Sequence, residues 1–448
     1  MSGGTIVWLR QDLRLRDNPA LHAATSLAGA VIPVYIWSPE EEGDWPPGAA
    51  SGAWLHHSLA SLAQSLAERG SRLIIARGPA LETLRALAEE TSATAVYWNR
   101  RYEPAAVACS TRVESGLIND GLKAMSFNSA LLMEPAEFLN QSGKPYQVYT
   151  AFMRALLHVL DPGPALPLPR TWRAPRHWPS GLSLTSLGLL PKIPWHETML
   201  ATWTPGERGA HARLKRFLDV AIGDYREARE RPSERGTSSL SPHLHFGEIG
   251  PRQVWHALGA QGRNSAFLRE LIWREFAHHL LYHFPHTPLQ PLRPEFRKFP
   301  WKPSAHPLRA WQQGRTGIPM VDAGMRELWA TGWMHNRVRM IVASLLVKNL
   351  LIPWQQGARW FWDTLVDADL ANNTMNWQWV AGSGADAAPY FRIFNPVTQA
   401  KRFDPEGSYI RKWVPELGGL SGSYPPPIVD LQRSRERALD AYQEMRRV

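Results

Sequence analysis

The chain has 448 residues, 44% of them hydrophobic and 20% charged, with one cysteine and a formal net charge of +10. At about 150 residues per domain this is length for roughly three units, or two large ones, with enough core to need no disulfides. Cys109 has no partner, no apolar run approaches a membrane span, and the first residues lack a signal-peptide pattern, so a secreted disulfide scaffold and a membrane protein are excluded and a cytoplasmic protein is expected.

Short apolar or β-branched runs at Thr5–Leu9, Val31–Trp37, Leu73–Ala76 and Ala95–Trp98 predict strands. Leu- and Ala-rich stretches at Ser51–Arg69 and Ala80–Glu90 predict helices between them, with Gly70, Gly78 and Pro79 at the joins. Strand–helix alternation with short connections implies a parallel sheet covered on both faces, an α/β domain of Rossmann or flavodoxin type over residues 1–130. Neither GxGxxG nor GxxxxGK[ST] is present, so this fold brings no nucleotide with it.

A connector is expected over residues 131–205. Its Asp161–Pro205 part carries nine prolines with Trp172, Trp178, Trp195 and Trp203 among them, which excludes continuous helix or central strand. It reads as an ordered linker laid over the surface and pinned by its tryptophans. From Gly206 the helical period takes over, at Arg208–Arg229, Ser265–His283, Met320–Trp333, Asn336–Leu351 and Ala358–Asp367, so residues 206–448 are expected to be all-α.

Charge and tryptophan follow this division. Through Leu160 there are 13 Lys+Arg against 15 Asp+Glu; the remainder has 37 against 25, and holds twelve of the 21 tryptophans between Trp255 and Trp413. An acidic or aromatic partner, nucleic acid or a large aromatic cofactor, belongs with the second half.

Four segments there could carry chemistry. In Arg235–Gly247, Thr237, Ser238, Ser239, Leu240 and Ser241 precede an apolar stretch. Hydroxyls and free N–H groups at a helix start can hold an anion, although the plainer reading is a cap. Glu270, Trp273 and Arg274 share one helix face, able to grip a base or simply to place a core Trp beneath a surface ion pair. Trp333, Asn336, Arg337 and Met340 make one stripe at i, i+3, i+4 and i+7, whose polar heads need partners if buried, as a helix lining a pocket would provide. Asp367 and Asp369 precede Asn372, Asn373, Trp377 and Trp379; ligand spacing for a metal is lacking, and acceptors for ribose hydroxyls or ring N–H groups are the alternative use. No Ser-His-Asp elbow, HExxH or CxxC occurs.

These segments, in this order behind this kind of N-terminal domain, resemble the photolyase/cryptochrome family, nearest to the bacterial enzymes that repair cyclobutane pyrimidine dimers. The resemblance begins at Thr5–Pro19, runs through Gly236–Gly247, Glu270–Phe276, Thr331–Met340 and Leu365–Trp379, and closes at Gly384–Pro396. It implies an antenna domain over 1–130 and a helical domain holding FAD and DNA over 206–448. Tyr225 and Thr237–Ser241 would hold the flavin diphosphate, Arg274 would pack at the isoalloxazine side, Asp367 and Asp369 would bond the ring and ribityl region, and Asn373 would face N5. Glu270 would bond the thymine edge, Trp273 and Trp379 would wedge against the dimer, and Asn336, Arg337 and Met340 would complete the lesion cavity. Arg229, Arg392, Lys401 and Arg402 would neutralise phosphates of UV-damaged DNA. Trp377, Trp354 and Trp301 would relay electrons to oxidised flavin.

The implied activity is light-dependent DNA repair by a deoxyribodipyrimidine photo-lyase, in which photoexcited reduced FAD passes an electron to a flipped-out dimer and the ring splits. A cryptochrome photoreceptor and a (6-4) photoproduct enzyme are the rivals. The latter is expected to place a histidine pair in the lesion pocket, and His335 is off the face of Asn336. Trp37–Gly43 resembles antenna sites that use 5,10-methenyltetrahydrofolate, ahead of 8-hydroxy-5-deazaflavin, although Ala105 and Ala106 stand where polar ligands occur in enterobacterial members. No metal is expected, and the chain is expected to act as a monomer.

Overall fold

Five strands form one parallel sheet in the order β3-β2-β1-β4-β5: β1 (Gly4–Leu9), β2 (Val31–Trp37), β3 (Ile74–Arg77), β4 (Ala93–Asn99) and β5 (Lys123–Phe127). The structure is a computed structural model that describes residues 3–262, 265–387, 391–418 and 424–447. Within the Gly384–Pro396 segment, Ala388, Pro389 and Tyr390 lie outside the described residues. Side chains of β1 are buried throughout, as expected for a central strand covered on both faces. The chain leaves β1 for β2 and β3, then returns to β1's other edge with β4, pairing Trp8 with Trp98. This reversal opens a crevice beyond the C-terminal ends of β1 and β4. Four of the strands coincide with predicted runs; β5 escapes prediction because it is an edge strand of half-buried and exposed residues with no apolar run.

Residues 131–205 are less linker-like than their prolines suggest. They contain the helix Tyr149–Val159 ahead of the first proline cluster and the short helix Trp195–Leu200 after Pro194. Trp172, Trp178 and Trp203 pack against the sheet-side cores, and Trp203 Nε1 also donates to Thr331 O at 3.1 Å. Trp195 does not pin the connector: it is 37% exposed.

The helical region includes Glu207–Arg216, Ala266–His283, Pro319–Thr331, Asn336–Ser344, Trp354–Thr364 and Leu370–Ala381 among its helices. Two predicted helices are shorter than their periodicity implies, because π-helical turns at Phe217–Ala221 and Leu345–Asn349 shift the register.

Buried polar contacts join this region to the sheet. Arg14, 1% exposed, donates to Gly247 O and to Ser129 Oγ at 3.0 and 2.7 Å. Trp54 Nε1 donates to Glu248 Oε1 at 2.9 Å, and Glu248 is paired in turn with His243. Gly247 (φ +63°) sits so close that an added Cβ would lie 2.0 Å from Gln11 O, a position closed to any side chain.

Candidate functional site

The main cavity of the helical region, about 430 Å³, is enclosed by residues from all four singled-out segments. Ser265 caps the helix Ala266–His283 by accepting from Leu268 N, and this helix turns Glu270, Trp273 and Arg274 into the cavity as their spacing predicts. Its other face is tied elsewhere: Glu275 accepts Leu132 N at 2.8 Å, and burial pushes its carboxyl up to about 7. Arg274 is also held from outside, donating to Ala130 O at 2.6 Å.

Trp333, Asn336, Arg337 and Met340 all reach the same cavity, but not as one helical stripe. Gly332 (φ +65°) ends the preceding helix, and the next begins only at Asn336, where His335 Nδ1 accepts Arg337 N at 3.2 Å. Trp333 therefore approaches from the loop between them.

Asp369 caps the helix Leu370–Ala381 by accepting Asn372 N at 2.8 Å. Its other oxygen lies 3.3 Å from His278 Nε2, while His278 Nδ1 is 3.0 Å from Arg274 O. Both ring nitrogens thus face acceptors, which calls for an imidazolium. Burial opposes charge on both groups, yet their attraction holds Asp369 well below the ordinary carboxylate range and His278 above its usual value. Asp369 is consequently more committed inside the protein than the sequence suggests. Asp367 takes a two-pronged bond from Arg339 Nη2, at 2.9 and 3.1 Å. Asn373 donates from Nδ2 to Ala358 O at 3.0 Å, and its Oδ1 accepts nothing among the described residues.

Tyr225 and residues 237–241 line the cavity together. The hydroxyls of Thr237, Ser239 and Ser241 make no hydrogen bond among the described residues, whereas Ser238 Oγ caps Leu240 N at 3.3 Å. The buried Trp377 Nε1 is likewise without a partner among the described residues, while His245 Nδ1, buried without a hydrogen bond, lies 3.9 Å from Asp369 Oδ2. Groups left open in one cavity, rather than satisfied as ordinary caps and core, fit a bound polar ligand with a large aromatic part.

Glu270 is bonded to Arg229, and burial lifts its carboxyl above the ordinary range against that pull. Trp379 lines the cavity beside Asn336, Arg337 and Met340. Arg392 lies outside the lining but 5.5 Å over the Trp379 ring. Lys401 and Arg402 are exposed on the helix Pro396–Phe403, whose Phe403 is flanked by Arg402 and Arg337. Trp377 walls the cavity; Trp354 is buried and Trp301 half-buried against the same core.

Sequence reasoning missed Arg339, Glu230, His245 and His278, which line or brace this site. Arg339 stands within the Trp333–Met340 segment without distinction, and Glu230 lies just past the predicted helix Arg208–Arg229, where no motif marks it. A second, smaller cavity of about 70 Å³ lies at the C-terminal ends of β1 and β2, lined by Arg10, Trp37, Glu42 and Arg101. His245 and Ala368 line both cavities.

Comparison with known proteins accords with this geometry. Residues 5–170 match the family model of DNA photolyase, and residues 267–444 that of the FAD binding domain of DNA photolyase. The chain is 48% identical to the deoxyribodipyrimidine photo-lyase of Agrobacterium fabrum, over 98% of this chain and 97% of that protein. It is 39% identical to cryptochrome-2 of Arabidopsis thaliana, over 97% of this chain and 78% of that one. The crystal structure of a class III photolyase from Agrobacterium tumefaciens superposes with a TM-score of 0.95 at 46% identity, covering 100% of this chain and 98% of that chain. By these matches along nearly its whole length, the chain belongs to the photolyase/cryptochrome family.

Proposed function

We propose that the protein repairs cyclobutane pyrimidine dimers in UV-damaged DNA under blue light. The observation that carries this reading is that one cavity gathers two sets of groups: Tyr225, Thr237–Ser241, Asp367 and Asn373 suited to FAD, and Glu270, Trp273, Asn336, Arg337, Met340 and Trp379 suited to a flipped dimer. FAD, when bound, supplies light absorption and the electron that opens the cyclobutane ring.

The protein's part is selection and orientation. A cross-linked dimer stacks and pairs badly, so extruding it costs less than extruding normal bases. Trp273 and Trp379 offer apolar faces, Glu270 an edge that can bond thymine carbonyl and imide groups, and Arg229, Arg337, Arg392, Lys401 and Arg402 the positive charge that phosphates need. Glu270, held by Arg229 at the cavity wall with its carboxyl lifted by burial, is placed to stay with the thymine edge as charge develops there. Trp377, Trp354 and Trp301 would relay electrons inward to reduce oxidised cofactor. The same reading assigns 1–130 to an antenna domain, 131–205 to a connector and 206–448 to the FAD- and DNA-binding domain of a cytoplasmic monomer.

Against (6-4) repair, His335 is outside the cavity lining and spends its Nδ1 on a helix cap. An antenna, 5,10-methenyltetrahydrofolate ahead of 8-hydroxy-5-deazaflavin, would sit at the smaller cavity in the crevice beyond the strands. At about 70 Å³ this space is well below the ~300 Å³ of a typical ligand cleft, so its lining would have to part.

The test is an absorption spectrum of the purified protein and repair of an oligonucleotide bearing one thymine dimer under blue light. Absence of flavin would sink the reading; flavin without dimer repair would move it to a cryptochrome or a (6-4) enzyme. Absorption beyond the flavin bands would report the antenna.

A further inference from the structure

Four charged side chains at the cavity form a single chain of alternating sign: Glu270–Arg229–Glu230–Arg337. Arg229 Nη1 donates to Glu270 Oε1, Arg337 Nη2 donates to Glu230 Oε2, and Arg229 Nε stands 3.7 Å from Glu230 Oε1. Their side chains are between 19% and 30% exposed, so solvent, and a ligand, can reach each of them. Three of the four have a use in lesion binding. Glu230 has none: its ion-pair partners are the two arginines.

A guanidinium fork fits a carboxylate and a phosphate with the same geometry. Arg337 is fixed around its fork, with its guanidinium 4.4 Å from the Phe403 ring, so Glu230 occupies the place on it that a phosphate oxygen would take. Arg337 also stands in the first turn of the helix Asn336–Ser344, the end that disfavours a cation, which makes an anionic partner there more valuable. Ordinary duplex DNA brings phosphates alone and must displace Glu230 to use Arg337. A flipped dimer does more, because it engages Glu270 and so frees Arg229, which is already within 3.7 Å of Glu230 and can take it over.

We propose that Glu230 is a specificity-determining residue, an internal competitor for phosphate that withholds Arg337 from undamaged DNA and is handed to Arg229 when a lesion occupies Glu270. The proposal rests on the repair function above. Specificity of this kind is a difference of affinities, and a repulsive element against the wrong partner serves it as well as an attraction to the right one.

The experiment is equilibrium binding in the dark of the flavin-loaded protein to two duplexes that differ only by one thymine dimer, followed by fluorescence anisotropy at several salt concentrations. Glu230→Gln should tighten binding of the undamaged duplex about fivefold and of the dimer duplex less than about twofold, so that discrimination falls. Glu227→Gln removes the same charge from an exposed neighbour outside the chain, and should move both duplexes by one common factor. In an Arg337→Gln background the selective effect of Glu230→Gln should vanish. An equal change on both duplexes, no change, or a selective effect that survives without Arg337 would overturn the proposal. If Glu230→Gln loses its flavin, Glu230→Asp, which keeps the charge but shortens the reach, must show the same selective shift, smaller in size. A wild-type protein that does not prefer the dimer duplex would instead refute the repair reading itself.

Discussion

Trp273 lies flat against Tyr149, with ring centroids 3.4 Å apart and planes within 6° of parallel. The tyrosine begins the helix Tyr149–Val159, its hydroxyl donates to Arg269 O at 2.8 Å, and its N–H donates to Asp386 Oδ2 at 3.1 Å. The indole that walls the cavity is thus backed by a ring that is itself fixed at two points. Tyr149→Leu should uncover that face and cost roughly 2–3 kcal/mol of stability through lost stacking and packing. Affinity for a dimer-bearing oligonucleotide should drop several-fold in Tyr149→Leu, and should be nearly kept in Tyr149→Phe. Equal affinities in the two variants would mean that Tyr149 does not position Trp273.

Gly357 permits the close approach of Trp377 to the helix that carries Trp354. A Cβ there would lie 2.1 Å from Trp377 Cη2 and 2.7 Å from Leu346 Cδ2, too near for either neighbour to accommodate without moving. Gly357→Ala should cost about 1–3 kcal/mol by overpacking and displace the Trp377 ring. If Trp377 and Trp354 carry electrons inward, photoreduction of oxidised flavin with an external donor should slow in Gly357→Ala and nearly cease in Trp354→Phe. Flavin absorbance under continuous blue light follows both; an unchanged rate in Trp354→Phe would remove that tryptophan from the path.

The contact between Trp54 and Glu248 bears on stability rather than chemistry. Both are fully buried, and the indole N–H and His243 are the side-chain partners of that carboxylate. Trp54→Phe keeps most of the apolar volume and removes one donor from a buried charged group, which should cost about 2 kcal/mol. A lowered denaturant midpoint with unaltered flavin content is expected.

What could be read from the sequence was whatever one element decides alone. Glu270, Trp273 and Arg274 lie on one helix, so spacing put them on one face, and strands such as Val31–Trp37 declare themselves by composition. What depends on distant contacts was hidden. Trp333 left its predicted stripe because Gly332 ends a helix that periodicity would continue. Glu230 gains its meaning from Arg337, 107 positions away, and the helix Tyr149–Val159 packs against a segment more than a hundred residues later. The assignment of FAD drew on several motifs taken in order; no single spacing carries it.

His335 sets the direction of one pH effect. Its Nδ1 accepts Arg337 N, so it must be unprotonated there, while Nε2 is buried without a partner among the described residues. Burial first, then the nearby Arg337 and Arg339, lower its pKa from 6.5 to about 4. Between these values the unfolded chain binds a proton that the folded chain refuses, so stability from this group is fully present above ~6.5 and falls as the pH drops towards 4. A shift of this size corresponds to about 3 kcal/mol across the window. His335→Asn keeps a capping oxygen and cannot titrate. Thermal unfolding followed from pH 7 down to about pH 4 should therefore fall less steeply in His335→Asn than in the wild type; parallel curves would show that His335 is not the titrating group.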